Sequence, residues 1–480
     1  MTFEPFRSAS DMARAIRRGE TTSTDLLEAH LERFQTINPD LNAIVRTDVE
    51  RARRRARQLD EMSADGEWSG PLHGVPLTIK DTFDVFGMPA VSGAQIYAKR
   101  SAETPDSSAV KSLRDAGAVI WGKTNTPYLA GDNQTFNDIH GVTNNPFDVS
   151  RTPGGSSGGS AAALASGMTP LELGSDIAGS LRLPAHFCGV CALKPSYGRV
   201  SQTGHVPPAP GSVAQRDLNV VGPMARTVED LQLMFSVLTQ TDMHEEGEGL
   251  LDRSRIAIWA EEEGFFLSNA CASGLDRAIH AADQGGAHIS KAKPDIDGLE
   301  LLDVYFQLLV SVLSEDLPNS TLAFMEAMRP VYRMMVGRRP FSRAKWFTYA
   351  TSRYRDWAVA HEKREQMKLK VEAFFRNWDA ILAPVCAVNA FSHYTSGGVT
   401  SRKMYVDGEA LPYHSFLSWF SLASACHLPS VVIPTGLSEE GLPVGVQVIG
   451  AFGSDEKILA IARSLEKRLG GFVPPAQFKA

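Results

Sequence analysis

The chain has 480 residues, 43% hydrophobic and 21% charged, with a formal net charge of -7 and a pI near 6.0. That is enough apolar sequence for a large core, and it excludes a disordered polymer. The acidic balance argues against a nucleic-acid partner, which calls for a basic surplus on at least one face.

In Met1–Arg18 the charges Glu4, Arg7, Asp11 and Arg14 break up any apolar core, so no signal peptide is expected. No apolar run approaches the roughly 20 residues that span a bilayer, so no membrane association is expected either. The five cysteines, Cys188, Cys191, Cys271, Cys386 and Cys426, are sparse and odd in number, which fits reduced thiols and a cytoplasmic setting. Cys188 and Cys191 form a Cys-x-x-Cys pair without a second pair or histidine at ligand spacing. Their apolar neighbours Phe187, Val190, Ala192 and Leu193 predict buried structural thiols and no metal.

In chain order, Thr22-Ser23-Thr24-Asp25 precedes Leu27, Leu31 and Phe34 on one helical face, which predicts a capped helix closed by Pro39. Five arginines crowd Arg51–Arg57, while Val49, Ala52, Ala56 and Leu59 recur at helical spacing, so the arginines occupy the solvated face of a second helix. Gly74–Asp81 is a short β-branched run ending at Lys80, and Ala118–Trp121 is another apolar run. Gly154-Gly155-Ser156-Ser157-Gly158-Gly159-Ser160 leads into a small-residue helix over Ser160–Gly167, followed by Gly174–Arg182. Leu301–Trp378, rich in Met, Phe and Trp among arginines and lysines, predicts amphipathic helices that mostly pack as core and can also wall an apolar pocket. Val431–Pro434 and Val444–Ile449 flank a polar turn at Ser438–Gly441 and read as core strands, with a closing helix from Asp455. Strands alternating with helices, and no linker dividing them, imply one α/β domain.

Glycine costs more backbone entropy on folding than any other residue, so the glycine-serine region needs a reason to be ordered. A phosphate loop would require a lysine that Gly158-Gly159-Ser160 lacks. Ser156 also fits Gly-x-Ser-x-Gly, but a nucleophile elbow follows a hydrophobic strand, and Asn145–Pro153 is mostly polar with two prolines. What remains is a serine-rich site without a recognisable histidine base. A serine hydroxyl needs a base to become a nucleophile, and a desolvated lysine can serve in its neutral form. Lys80, at the end of its apolar strand, is the candidate.

These segments together resemble the amidase signature family. Gly74–Asp81 is similar to its lysine motif, Gly154–Ser160 to its glycine-serine loop and Gly174–Pro184 to its nucleophile motif; Gly222–Thr227 and Gly441–Gly445 are also similar to segments of its members. The resemblance is weakest across about Leu251–Tyr413. It implies a single α/β/α domain over 1–480 with a large mixed central β-sheet flanked by helices. Its parts would be N-terminal helices (1–65), a catalytic core (66–250), a helical insertion capping the substrate (300–378), and C-terminal strands and helix (425–480).

The resemblance further implies Ser180 as nucleophile, Ser156 as the bridging serine behind a cis peptide bond, and Lys80 as the base. The backbone N–H groups of Ile177, Ala178, Gly179 and Ser180 would form the oxyanion hole. Ala130, Gly131, Asp132 and Asn133 would line the substrate channel, and Asp176 and Arg182 would support the nucleophile loop. Position 178, often glycine in the family, is alanine here. No metal or organic cofactor is implied, the partner is a small-molecule amide, and the chain would act as a monomer or homodimer.

Three functions follow from these readings. The first is a stand-alone amidase for hydrophobic amides, aryl amides such as anilides, or carbamates. The second is the glutaminase component of a tRNA-dependent amidotransferase, whose members typically carry threonine where this chain has Ile177. The third, a non-catalytic binding protein, conflicts with the intact Lys80, Ser156 and Ser180.

Overall fold

A computed structural model describes residues 4–243, 249–337 and 340–479. Positions 1–3 of the charged N-terminal stretch, 244–248 of the expected 66–250 core, 338–339 of the expected 300–378 insertion and the final residue lie outside it.

The first strands are β1 (Ile44–Thr47), β2 (Pro76–Lys80), β3 (Val119–Thr124), the short pair β4 (Phe136–Asn137) and β5 (Gly141–Val142), and β6 (Leu171–Asp176). There follow β7 (Cys191–Lys194), β8 (Val220–Ala225), β9 (Arg255–Ile258), β10 (His288–Lys291) and β11 (Ala380–Pro384). The hairpin β12 (Lys403–Val406) and β13 (Glu409–Pro412) precedes β14 (Ser430–Leu437) and β15 (Pro443–Ile449). Eleven of these form one sheet in the order β1-β3-β2-β6-β8-β7-β14-β15-β11-β9-β10. The sheet is mixed: β2 runs parallel to β3 and β6, whereas β6 and β8 are antiparallel. Helices cover it, giving the single α/β domain expected. Every residue of β2, β3, β6, β8 and β15 is buried, as strands covered on both faces must be.

The N-terminal helix is Ser23–Leu41, capped by Thr22, whose hydroxyl accepts from the Asp25 N–H at 3.0 Å. Pro39 does not close it. The helix continues to Leu41 and stops where Asn42 turns left-handed at φ 49°. Proline forfeits only its own N–H bond here, and the Asn38 side-chain carbonyl accepts from the N–H groups of Ala43 and Ile44 at 2.9 Å, securing the exit. Along Val49–Ala64, Ala52, Ala56 and Leu59 are buried, while Arg53 pairs with Glu28 across the surface. The small-residue helix begins two residues earlier than expected and spans Gly158–Ala165. Cys188 and Cys191 are buried, and burial pushes both thiols well above their ordinary range.

Among the described residues the 300–378 stretch holds four α-helices, Gly298–Leu313, Asn319–Met335, Arg343–Ala350 and Tyr354–Phe375. Most of its aromatics pack on one another, with Phe306 against Phe341, Trp346 and Tyr349. This cluster extends to Ile177 and Ala178, so the insertion reaches the nucleophile loop.

Candidate active site

Because β2 and β6 are parallel neighbours, with Ile79 opposite Leu173, both deliver their C-terminal residues to the same sheet edge. Lys80 ends β2, and Ser175 and Asp176 end β6. Lys80 is fully buried, its Nζ 2.8 Å from Ser156 Oγ and 3.1 Å from Ser175 Oγ. Burial draws the amine down to about 7, against the opposing pull of Asp176 and Glu172. A second buried lysine shows what the partners add. Burial also lowers Lys194 to about 7, but among the described residues its Nζ hydrogen-bonds only to the carbonyls of Pro195 (3.1 Å) and Leu428 (2.7 Å), which have no proton to give. Lys80 faces hydroxyls, so it alone of the two can exchange protons with a neighbour.

Ser156 sits on the glycine-serine loop, after a cis peptide bond from Gly155. A Cβ at Gly155 would lie 2.6 Å from the carbonyl oxygens of Asp132 and Gln134, so only glycine lets this loop press against the 132–134 segment. Ser180, 6% exposed, faces two adjoining cavities. Ser156, Ser175 and His205 line one of them with it. The other is lined by all four expected channel residues, Ala130, Gly131, Asp132 and Asn133, together with Ile177, Ala178 and Ser180. Leu129 and Ala130 hold left-handed backbone at φ 48° and 55°, strain that is rare for non-glycine residues and concentrates at functional sites.

The Asp176 carboxylate organises the loop from 176 to 182. It accepts from the N–H groups of Gly179 (2.9 Å) and Leu181 (3.1 Å) and pairs with Arg182 through two bonds of 3.0 Å. Burial, the largest single influence, favours its neutral acid, but the charge and hydrogen bonds of Arg182, the Lys194 charge and the Gly179 N–H together outweigh it and hold the carboxyl at about 2. Arg182 is tied to Ser424 Oγ at 2.7 Å and lies over the Phe420 ring. These contacts bear on the four N–H groups expected at the oxyanion hole. The Gly179 N–H is committed to Asp176, whereas those of Ile177, Ala178 and Ser180 have no partner among the described residues. Gly179 serves the loop differently: at φ 92°, a Cβ would meet the Phe420 ring at 2.4 Å.

Several contacts of the site could not be read from the sequence. Glu172, beneath Lys80, accepts from Thr78 and Thr124 and is raised to about 7 by burial. Asp132 is paired with Arg402 Nη1 (2.5 Å) and accepts from the Tyr413 hydroxyl (2.8 Å). Leu309, Leu313, Trp346, Val399, Leu417 and His414 complete the larger cavity. Nor is the site free of histidine: His205 Nε2 lies 2.8 Å from Ser175 Oγ. Ser175 lies within the nucleophile motif, Asp132 among the expected channel residues, and Leu309, Leu313 and Trp346 within the expected substrate cap; Glu172, His205, Val399, Arg402, Tyr413, His414 and Leu417 carried no sequence signal.

The family model described as Amidase matches residues 25–459. The chain belongs to the amidase family. The match spans the 251–413 stretch, where the motif resemblance is weakest. The amidase is 31% identical to a glutamyl-tRNA(Gln) amidotransferase subunit of Salinispora tropica, over 98% of each chain. It is 30% identical to the indoleacetamide hydrolase of Bradyrhizobium diazoefficiens, over 96% of this chain and 86% of that one. A crystal structure described as an amidase superposes with a TM-score of 0.79 at 30% identity, covering 96% of this chain and 100% of the other. The protein is an amide-hydrolysing enzyme. Among the described residues no helix is long and apolar enough to cross a membrane.

Proposed function

We propose that this amidase cleaves hydrophobic or aryl amides, and carbamates of similar shape, through an acyl-enzyme on Ser180. The observation that carries the reading is a fully buried lysine, drawn down to about 7, within 2.8 Å of a serine hydroxyl that shares a cavity with Ser180. Neutral Lys80 takes the Ser156 proton as Ser156 takes that of Ser180, and Ser180 Oγ adds to the amide carbonyl carbon. The N–H groups of Ile177, Ala178 and Ser180 meet the oxyanion that forms. Lys80 then returns the proton through Ser156 to the nitrogen, since an amine leaves only once protonated. Water attacks the ester by the same relay, releasing the acid and Ser180. Because the reactive lysine is neutral, kcat/KM rises with pH through about 7.

The substrate class rests on the larger cavity. Leu309, Leu313, Trp346, Val399 and Leu417 give it carbon walls. Its one carboxylate, Asp132, is already paired with Arg402. His414, packed against Phe306 and Trp346, is held neutral by burial, pulled down to about 4. Among the described residues lining the cavity no unpaired charge awaits an α-ammonium or α-carboxylate, which weighs against free glutamine. We therefore assign Leu309, Leu313 and Trp346 of the insertion the role of substrate cap. The 31% identity to an amidotransferase component, end to end, keeps the glutaminase as the second reading.

Hydrolysis of an acyl-anilide panel, a nitrophenyl carbamate, acetamide and glutamine by wild type, Ser180→Ala and Lys80→Ala tests both readings. Anilide or carbamate turnover that disappears in both variants is the expected result. Glutamine turnover alone favours the amidotransferase reading; activity surviving in Ser180→Ala means another nucleophile, and acetamide outrunning the anilides removes the hydrophobic preference.

A further inference from the structure

His205 is buried, 6% exposed, and packs edge-on against Phe83 with ring centroids 4.9 Å apart. Both ring nitrogens are occupied. Nδ1 lies 2.6 Å from the carbonyl oxygen of Pro207, and Nε2 lies 2.8 Å from Ser175 Oγ. A carbonyl only accepts, so in the neutral imidazole the proton sits on Nδ1 and Nε2 presents its lone pair. The Ser175 hydroxyl must therefore donate to His205. With its single proton spent, Ser175 can only accept from Lys80, whose Nζ is 3.1 Å away.

A neutral lysine amine has two protons and one lone pair. One proton is directed to Ser175, and the lone pair stays open toward Ser156, 2.8 Å away. Without the histidine, Ser175 could turn its proton onto that lone pair and cap the base. We infer that His205 is a positioning residue that fixes the direction of the hydrogen bond between Ser175 and Lys80 and so reserves the lysine lone pair for the proton of Ser156.

This rests on the proposed role of Lys80 as the base. The direction is durable because burial above all, with the Arg216 charge adding to it, holds His205 neutral, well below its ordinary value. The other charged groups bearing on Lys80 are Asp176 and Glu172. The site is further held by backbone bonds that tie the 204–206 loop to the residues after β2, from Asp84 N–H to Gly204 and from Val206 N–H to Thr82. Sequence alone offers no sign of it, because His205 follows Lys80 by more than a hundred residues and belongs to none of the family motifs.

The test measures kcat and KM against pH on the best anilide for wild type, Lys80→Ala, His205→Leu, His205→Gln, Ser175→Ala and the double variant Ser175→Ala/His205→Leu. His205→Leu is expected to lose roughly tenfold or more in kcat at unchanged KM. Its ascending pH limb should move to lower pH, because a hydroxyl donating to the neutral amine stabilises that form. His205→Gln, whose amide oxygen can accept from Ser175, should recover most of the loss.

The decisive readout is the double variant. With the Ser175 hydroxyl gone nothing can cap the lysine, so adding His205→Leu to Ser175→Ala should change kcat by less than about twofold. A histidine that only supports the fold would cost as much in either background, and that result overturns the inference. So does wild-type kcat and pH limb in His205→Leu. Should His205→Leu melt below the assay temperature, His205→Phe, which keeps the ring edge on Phe83 but lacks the acceptor, takes its place in both backgrounds. Activity persisting in Lys80→Ala would instead sink the underlying reading of the base; an inactive Lys80→Ala beside a fully active His205→Leu sinks this inference alone.

Discussion

On one side of Ser180 lie Lys80, Ser156, Ser175 and His205, buried polar groups joined by hydrogen bonds of 2.8 to 3.1 Å. On the other lie Leu309, Leu313, Trp346 and Leu417, which offer the larger cavity mostly carbon. The polar side is specified by pairing. Each buried donor or acceptor must find a partner, and the pattern of partners fixes which group can give up a proton. The apolar side is specified by volume, which tolerates substitution as long as the space stays filled. Chemistry and selectivity are thereby assigned to groups with different sensitivities to mutation. The loop from 176 to 182 joins the two sides, since Asp176 and Arg182 brace it from below while Ile177 and Ala178 pack on the insertion.

The comparison breaks most severely at the brace. Asp176→Asn leaves the fully buried Arg182 without its counter-charge, and truncating one partner of such a pair costs about 3–5 kcal/mol. Urea melts of wild type and variant should show that deficit near neutral pH, together with loss of anilide hydrolysis. The sign of its pH dependence follows from the depressed carboxyl. The stabilisation is complete above the ordinary value of 3.8 and is lost as pH falls through about 2, so the gap between the two proteins should narrow over that window. A constant gap down to pH about 2 would mean that the ion pair is not its source.

An intermediate effect should appear on the apolar side and separate the two regions cleanly. Trp346→Ala opens the larger cavity and should lower kcat/KM for aryl amides by roughly 10- to 200-fold, the range for about 1–3 kcal/mol of lost contact. Its acetamide rate and the pH limb near 7 should stay unchanged. Equal losses on aryl and small amides would show that the cavity wall does not select the substrate.

The smallest effect should come from the link between them. The Tyr305 hydroxyl, on the helix Gly298–Leu313, donates to the Ile177 carbonyl at 3.3 Å. Tyr305→Phe removes one neutral hydrogen bond, about 0.5–1.5 kcal/mol, and should cost kcat a few-fold on large and small amides alike. A loss confined to the aryl amides would place Tyr305 with the wall and not with the loop.

The sequence made the strands around Lys80 and the 430–449 hairpin legible, because buried strands and polar turns leave short, contrasting runs of residues. It misjudged Pro39, since proline ends a helix only where no later residue can continue it, and the stop belongs to the left-handed Asn42. It assigned four N–H donors to the nucleophile loop, and the structure leaves three open, because the Gly179 donor is satisfied by a carboxylate three residues back in the chain. Asp132 offered no sequence sign of its neutralisation, which comes from Arg402, 270 positions away.

By itself, then, the sequence determined what is local and contiguous: the lysine strand, the glycine-serine loop and the nucleophile loop, each a run whose residue types and spacing already limit its chemistry. Tertiary structure decided what depends on several distant segments meeting: which of four buried lysines faces a hydroxyl, which N–H groups remain unpaired, and which side chains wall the cavity. Hydrogen-bond direction and desolvation depend on every group within a few ångströms of an atom, and separation along the chain does not reveal which groups those are.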